Sequence, residues 1–287
     1  MSAPILVTGG NGRLGRALAR AGHVTALGRD ALDVIDPAAI AAALEHWRPD
    51  LVIHCAAFTH VDKCELEPQK AWAGNADAAG FVAAACAAQD AALIHISTDF
   101  VFSGTRCRPY SESDPVEAPL SVYAASKIEG EKRVAASGAR ATIARVAWLC
   151  GDDADFPTRM FEIGRQRGAI TVADDETGSP TPIPALAARL LKLADLMLSG
   201  AAAPPVLHVS GIPPVTRYDW VRLAFEQAKA LGVVTPNLSP GKGADFGLPA
   251  KRPAYSALDV SLSERLLGLA PDWRIGLGER IKAAAVR

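Results

Sequence analysis

The chain has 287 residues, 49% hydrophobic and 21% charged, with 30 basic and 31 acidic side chains for a formal net charge of -1 at pH 7. That length supports a full hydrophobic core in one large domain or two unequal lobes, and the balanced charge lacks the basic excess of a nucleic-acid binder. The five cysteines are odd in number and include no CxxC pair, which argues against a disulfide scaffold and for a reducing compartment.

Residues 1–4 run straight into an apolar segment without a basic and apolar leader. Asp, Gln, Glu or Arg breaks each alanine-rich stretch before it reaches membrane-spanning length, so a cytoplasmic protein with no membrane contact is expected. Residues 5–7 read as a strand, TGGNGRLG follows at 8–15, and 14–21 is helical in pattern. A strand at 24–27 precedes a helix at 37–47, with Pro37 suited to its first turn. DLVIHC at 50–55 is almost continuously apolar, the mark of a strand buried in a parallel sheet. A long alanine-rich helix at 69–88, a strand at 92–97, a helix at 123–137 and a strand at 141–147 follow. This alternation predicts an α/β fold with a Rossmann-type, doubly wound, mostly parallel sheet. The second half is less regular. It offers a helix at 184–198, a strand at 206–209 that rejoins the sheet, a Pro/Gly/Lys-rich loop at 235–256, and short helices at 262–269 and 276–284.

Gly9, Gly12 and Gly15 fall at the first βα turn. Glycines there permit a tight turn, let backbone N–H groups approach a pyrophosphate, and let the helix pack near the strand. The positive end of the helix starting near Arg13 complements phosphate charge. A dinucleotide-binding core of residues 1–150, completed by 184–212, is therefore expected. A smaller discontinuous substrate lobe would comprise 151–183 and 213–287. After the second strand, Arg29 suits the 2'-phosphate of NADP and Asp30 the ribose hydroxyls of NAD. Both cofactors stay open, with NADP(H) slightly favoured and Arg13 as a further phosphate partner.

YAASK at 123–127 places Tyr123 and Lys127 four apart, on one helix face and about 6 Å along the axis. Tyrosine, with a pKa of about 10, is a poor acid–base group at neutral pH unless a nearby cation favours its phenolate. Lys127 can supply that charge and bind the nicotinamide ribose. Thr98, ending the preceding strand, offers a second hydroxyl, and a carbonyl held between Thr98 and Tyr123 would be polarised toward hydride attack. No GxSxG, HExxH or P-loop lysine motif competes. His54 and His95 read as satisfied core residues. Asp62 and Glu65 read as capping or solvent-exposed residues, with no metal ligand assigned.

LVTGGNGRLG at 6–15, CAAFTHVDKCE at 55–65, STDFVFSG at 97–104, YAASKIEGE at 123–131, RVAW at 145–148, DDETGSPTP at 174–182 and RPAYSALDVS at 252–261 come in family order. On these segments the chain resembles the extended short-chain dehydrogenases/reductases and, within them, the dTDP-4-dehydrorhamnose reductase family. The resemblance implies NADP- or NAD-dependent reduction of a nucleotide-linked deoxysugar at a C4 ketone. It implies that Asn11, Gly12, Arg13 and Leu14 meet the pyrophosphate, that Asp33 and Val34 lie near adenine, and that Ala56, Ala57 and Thr59 line the dinucleotide. Asn75 would order the active-site strand and helix. Thr98, Tyr123 and Lys127 would be catalytic, while Thr98, Asp99 and Trp148 would contact the sugar; Trp148 on its own reads equally as a core anchor. Family members can bind magnesium and can form homodimers. Phe58 and Phe100 stand where tyrosine is frequent, Glu176 where glutamine is common, and WLCGDDAD at 148–155 departs from the usual aromatic-rich continuation. These departures keep open another nucleotide-sugar reductase or epimerase, and a non-catalytic NAD(P)-binding regulatory subunit.

Overall fold

The computed structural model of the chain describes residues 5–116, 118–151 and 155–286. Residues 1–4, read above for a leader, and Asp152, Asp153 and Ala154 of the divergent segment lie outside the described residues. The first half builds β1 (Ile5–Thr8), α1 (Arg13–Ala21), β2 (Val24–Leu27), α2 (Pro37–Trp47), β3 (Leu51–His54), α3 (Val61–Leu66), α4 (Pro68–Trp72), α5 (Ala78–Ala88), β4 (Ala92–Thr98), α6 (Val122–Ala136) and β5 (Ala141–Val146). The chain then leaves the sheet through β6 (Leu149–Cys150), α7 (Phe156–Arg167), β7 (Ala169–Ala173), β8 (Thr177–Gly178) and β9 (Thr181–Pro182). It returns with α8 (Ile183–Leu198) and β10 (Val206–His208). It ends in β11 (Val215–Thr216), α9 (Arg217–Ala230), β12 (Asn237–Gly241), α10 (Ser261–Leu267) and α11 (Leu277–Ala285). Among the described residues no helix is long and apolar enough to cross a membrane.

Six parallel strands run in the order β2-β1-β3-β4-β5-β10. The chain steps outward from β1 to β2, then crosses back to β3. A crevice opens at such a reversal, beyond the carboxyl ends of the strands. Alternate residues face opposite sides. Ile5, Val7, Leu51, Ile53 and Ile94 pack on one side with Leu14 and Leu18 of α1 and Leu186, Leu190 and Leu193 of α8. Leu6, Val52 and Leu93 pack on the other with Ile40 and Leu44 of α2, Val82 and Cys86 of α5 and Val134 of α6. Burying each such leucine contributes roughly 1.5–3 kcal/mol.

Two sequence readings are corrected here. The single helix expected at 69–88 is α4 and α5 joined by a wide π-type turn over Ala73–Asp77. The extra residue in such a turn rotates one side chain out of helical register, and here Asn75 points into the core. The expected loop at 235–256 contains β12, which pairs in parallel with β7 from Asn237↔Ala169 to Gly241↔Ala173, and a short turn of 3-10 helix over Gly243–Phe246. Proline is tolerated in β12 because this two-stranded sheet leaves its other edge unpaired. A separate core of Phe161, Val172, Trp220, Phe225, Trp273 and Ile281 holds α7, β7, α9 and α11 together.

Candidate active site

At the carboxyl end of β1, Gly9 turns with φ +70°, and a Cβ on it would stand 2.8 Å from the Ala56 nitrogen. A Cβ on Gly15 would strike the Gly9 carbonyl oxygen. These glycines are thus required by the closeness of the turn, the helix and the segment after β3. Gly12 is the N-cap of α1 and has no side chain to accept from its first-turn amides, so that helix end faces the crevice without a side-chain cap. Arg13 starts α1 and donates to the Leu149 carbonyl at 3.2 Å. Asn11 is exposed, while Leu14 and Gly15 are buried. Beyond β2, Arg29 is solvent-exposed and ion-paired with Asp33 at 3.6 Å, with Val34 buried beside them. Ala56 and Ala57 are half-buried on the segment after β3, and Thr59 is exposed.

Thr98 closes β4, and its hydroxyl donates to Asp99 Oδ1 at 3.1 Å and accepts from the Phe100 N–H at 3.2 Å. Ser121 caps α6 by accepting from the Ala124 N–H at 3.2 Å, and this helix carries Tyr123 and Lys127 inward. Tyr123 is buried, lies near enough to Thr98 for that hydroxyl to act on its phenol, and meets the Phe100 ring edge-on at 5.8 Å between centroids. Burial pushes its phenol above the ordinary range, Thr98 opposes this, and the Asp99 charge adds to it. Lys127 donates to the Ile96 carbonyl at 2.7 Å and stands 3.5 Å from His95 Nε2. Burial brings its ammonium down to about 8, against the pull of the Glu131 carboxylate. A line of contacts returns from there to the glycine turn. His95 stacks on His54 at 5.3 Å, and His54 Nδ1 shares a 2.7 Å hydrogen bond with the Thr8 hydroxyl. These histidines are buried as expected but only half satisfied, since His54 Nε2 and His95 Nδ1 have no partner. Burial, then the Lys127 charge, lowers the His54 imidazole to about 3, so it is neutral at pH 7.

Asn75 bridges the two elements that frame this site. It accepts from the Phe58 N–H at 2.7 Å and donates to the Phe58 carbonyl at 3.1 Å and to Ser126 Oγ at 3.0 Å. Glu131, one turn beyond Lys127, binds Arg145 with two hydrogen bonds of 3.0 and 2.7 Å and accepts from Ser97 at 2.5 Å. Glu131 and Arg145 are nearly inaccessible, so this is a buried pair.

On the other side of Thr98 the site continues into later segments of the chain. Asp99 Oδ2 accepts from Ser256 at 2.5 Å; burial raises the Asp99 carboxyl to about 6, opposed by Ser256, Thr98 and the charge of Arg217. Arg217 lies over the Trp148 ring at 4.1 Å and the Phe156 ring at 5.0 Å, while its Nε donates to Glu176 at 2.6 Å. Trp148 is half-buried with φ +35°, against a glycine, Gly178, where any Cβ would collide with the indole. It stacks on Trp220 of the lobe core at 5.8 Å, as a core anchor would, yet its Nε1 has no partner. Beyond Arg217 opens a cleft of about 740 Å³, with Phe156, Met160 and Leu248 among its apolar walls and Arg159, Arg167, Arg217 and Arg252 at its rim. Among the described residues no three His, Cys, Asp or Glu side chains gather as a metal site.

The structure brings together Thr98, Tyr123, Lys127 and Asp99, and it links Trp148 to them through Arg217. It leaves Arg29 and Asp33 at the far rim of the crevice. Sequence reasoning missed Glu131, Arg145, Arg217 and Ser256. Glu131 could have been found from its spacing of four from Lys127; Arg217 and Ser256 come from distant segments and give no local signal.

A parallel sheet of this order, with a glycine turn at its reversal and a tyrosine–lysine pair on α6 beside it, defines an extended short-chain dehydrogenase/reductase. The family model described as RmlD substrate binding domain matches residues 3–286, and the chain belongs to that family. It is similar to the dTDP-4-dehydrorhamnose reductase of Mycolicibacterium smegmatis, 38% identical over 99% of this chain and 86% of that protein. The dTDP-4-dehydrorhamnose reductase of Streptomyces griseus is also 38% identical, over 98% of this chain and 94% of that one. A crystal structure of dTDP-4-dehydrorhamnose reductase from Bacillus anthracis in complex with NADP superposes with a TM-score of 0.87 at 32% identity, covering 99% of both chains.

Proposed function

We propose that the chain reduces the C4 ketone of dTDP-4-dehydro-L-rhamnose to dTDP-L-rhamnose with NADPH or NADH. The observation that carries this reading is the burial of Tyr123 beside Thr98 and Asp99 at the carboxyl end of β4, with Lys127 buried one helical turn away. The names of relatives similar over nearly the whole chain supply the sugar.

The crevice suits a dinucleotide. A cradle that a Cβ would fill lies against a helix end with no side-chain cap, which favours an anion held by backbone amides. Gly9, Asn11, Gly12, Arg13, Leu14 and Gly15 would hold the pyrophosphate, Arg29 a 2'-phosphate, and Asp33 and Val34 the adenine end. Ala56, Ala57 and Thr59 would line the remainder, with Tyr123 and Lys127 at the nicotinamide ribose. When bound, the reduced cofactor supplies the hydride. Thr98 and Tyr123 polarise the sugar carbonyl by hydrogen bonding to its oxygen. Tyr123, kept protonated at neutral pH by burial, then gives its proton to the developing alkoxide, and the Lys127 ammonium offsets the phenolate left behind. Asp99 and Trp148 would meet the hexose, and the arginine-rimmed cleft would take the dTDP portion. In this reading residues 1–150 with 184–212 form the dinucleotide lobe and the remainder the substrate lobe. The enzyme works in the cytoplasm, in keeping with five cysteines that form no disulfide.

The test is to follow loss of reduced cofactor with dTDP-4-dehydrorhamnose. Tyr123→Phe is expected to lower turnover by about 10²–10⁴, the usual contribution of a positioned general acid, while dinucleotide binding measured by fluorescence is retained. A fully active variant would remove Tyr123 as the proton donor. The Arg217–Glu176 pair, at a position where glutamine is common in the family, favours a second reading: the ketone of a different nucleotide-linked deoxysugar. Product analysis by NMR across nucleotide sugars separates the two, and separates net reduction from epimerisation.

A further inference from the structure

Asp62 belongs to a six-residue helix of the dinucleotide half, and both of its oxygens face one short stretch of the C-terminal segment. Asp62 Oδ2 accepts from Arg252 Nη2 at 2.7 Å, and Asp62 Oδ1 accepts from the Ala250 N–H at 3.2 Å. Arg252 folds back on the same stretch, its Nη1 donating to the Ala250 carbonyl at 2.8 Å. The guanidinium is thereby clamped from two sides, with 16% of its side-chain surface exposed. A guanidinium has five N–H donors in a fixed fork, and only two are engaged in these bonds. Arg252 also lines the cleft, as Leu248 and Arg217 do.

Arg217 is already committed, with its Nε on Glu176 and its face on Trp148. Arg159 and Arg167 are exposed at the rim on α7, where they keep their rotamer freedom. Arg252 is therefore, with Arg217, a cleft cation whose direction is set before a ligand arrives, and the residue that sets it lies in the other half of the chain. The same segment runs on to Ser256, whose hydroxyl reaches Asp99 beside Thr98. One strap is thus pinned at the cleft by Asp62 and at the reacting end by Asp99.

We propose that Asp62 is a positioning residue for substrate: it fixes the Arg252 guanidinium against the cleft so that its remaining donors meet the anionic part of a nucleotide-linked sugar. This rests on the reading that the cleft takes the dTDP portion, so the test measures that separately. Binding of dTDP alone by calorimetry and steady-state turnover of the nucleotide sugar are compared for wild type, Asp62→Asn, Asp62→Glu, Arg252→Ala and the double variant Asp62→Asn/Arg252→Ala. Asparagine keeps the size of the side chain and an acceptor for Ala250 but removes the charge that holds the guanidinium. Asp62→Asn should raise the nucleotide-sugar KM and the dTDP Kd about tenfold, with kcat within about twofold and the cofactor KM unchanged, the pattern of lost uniform binding. Asp62→Glu should recover most of the affinity. The double variant should bind no worse than Arg252→Ala alone, because the two residues act through one contact.

If Arg252→Ala weakens dTDP binding while Asp62→Asn leaves it intact, the positioning role is overturned and the cleft reading stands. If Asp62→Asn lowers only the thermal midpoint, with KM and Kd unmoved, its role is structural and the proposal again falls. If wild-type protein does not bind dTDP, or Arg252→Ala binds it normally, the cleft reading fails and takes this one with it.

Discussion

Lys127 holds a charge where burial opposes it. Its ammonium sits at about 8, and the largest influence in its favour is Glu131 one turn along α6. The other groups facing it are His95 and His54, both neutral at pH 7, and the Cys55 thiol, which burial pushes up to about 12. Tyr123 and Lys127 were legible in the sequence because a four-residue spacing defines a helix face. Glu131 continues that face at the same spacing, but the partners that hold it, Arg145 and Ser97, are brought against it only by the fold. The sign of its effect follows directly. The proposed mechanism needs the ammonium, so turnover should fall as pH rises through about 8. Removing the Glu131 carboxylate removes what favours the charged form, so Glu131→Gln should move that alkaline fall to lower pH, by about one unit. A pH–rate profile reads this; an unmoved alkaline limb would show that Glu131 does not act on Lys127. The same change leaves Arg145 buried without its counter-charge, a loss of roughly 3–5 kcal/mol measurable by urea unfolding.

The strands and helices of the first half were legible because each strand there is a short, nearly continuous apolar run and each long helix is rich in alanine. The second half showed α8, β10, α10 and α11 but hid others for identifiable reasons. The apolar face of α9 (Trp220, Val221, Ala224, Phe225, Ala228) is regular, and Thr216 caps it by accepting from the Asp219 N–H at 3.0 Å, but the charges interleaved along it mask the pattern. The face of α7 is broken by Pro157 and Gly164, and β12 carries the Pro and Gly of a loop. The π-type turn at Ala73–Asp77 has no sequence signature, because alanine and glycine suit a regular helix as well. Its consequence is a close contact: a Cβ on Gly130 of α6 would run into the Asn75 carbonyl oxygen. Two effects compete in Gly130→Ala. Helix propensity favours alanine by about 1 kcal/mol, whereas overpacking a tight contact costs about 1–3 kcal/mol. The atom struck is backbone, which cannot swing aside, so the variant should be less stable by denaturant midpoint. Its turnover should also fall, because Asn75 is displaced from Phe58 and Ser126. A stabilised, fully active variant would mean that α6 and the π-type turn are not held in register by this contact.

The sheet and the separate C-terminal core are built from interlaced stretches of chain, and the expectation that a late strand rejoins the sheet anticipated part of this. The coupling of the cleft to Thr98 through Arg217, Ser256 and Asp99 was not legible, because it is made by segments more than a hundred residues apart. The interlacing has an energetic consequence. One face of the sheet is covered jointly by α1 and α8, and α8 follows the excursion through β6, α7, β7, β8 and β9. A fragment ending at residue 150 would keep the glycine turn, Tyr123 and Lys127 but lose α8 and β10. Without Leu186, Leu190 and Leu193 it would forgo roughly 5–9 kcal/mol of burial, comparable with the roughly 5–15 kcal/mol of a whole domain, and Ile5, Ile53 and Ile94 would face water. Loss of β10 would also open the edge of β5 to pairing with other chains. The fragment 1–150 should therefore unfold without a cooperative transition by circular dichroism and should not alter NADPH fluorescence, whereas the full chain is expected to melt cooperatively and to alter it. A fragment that melted cooperatively and bound the dinucleotide would show that α1 and the five remaining strands suffice, and that the sheet does not need the return of the chain through α8.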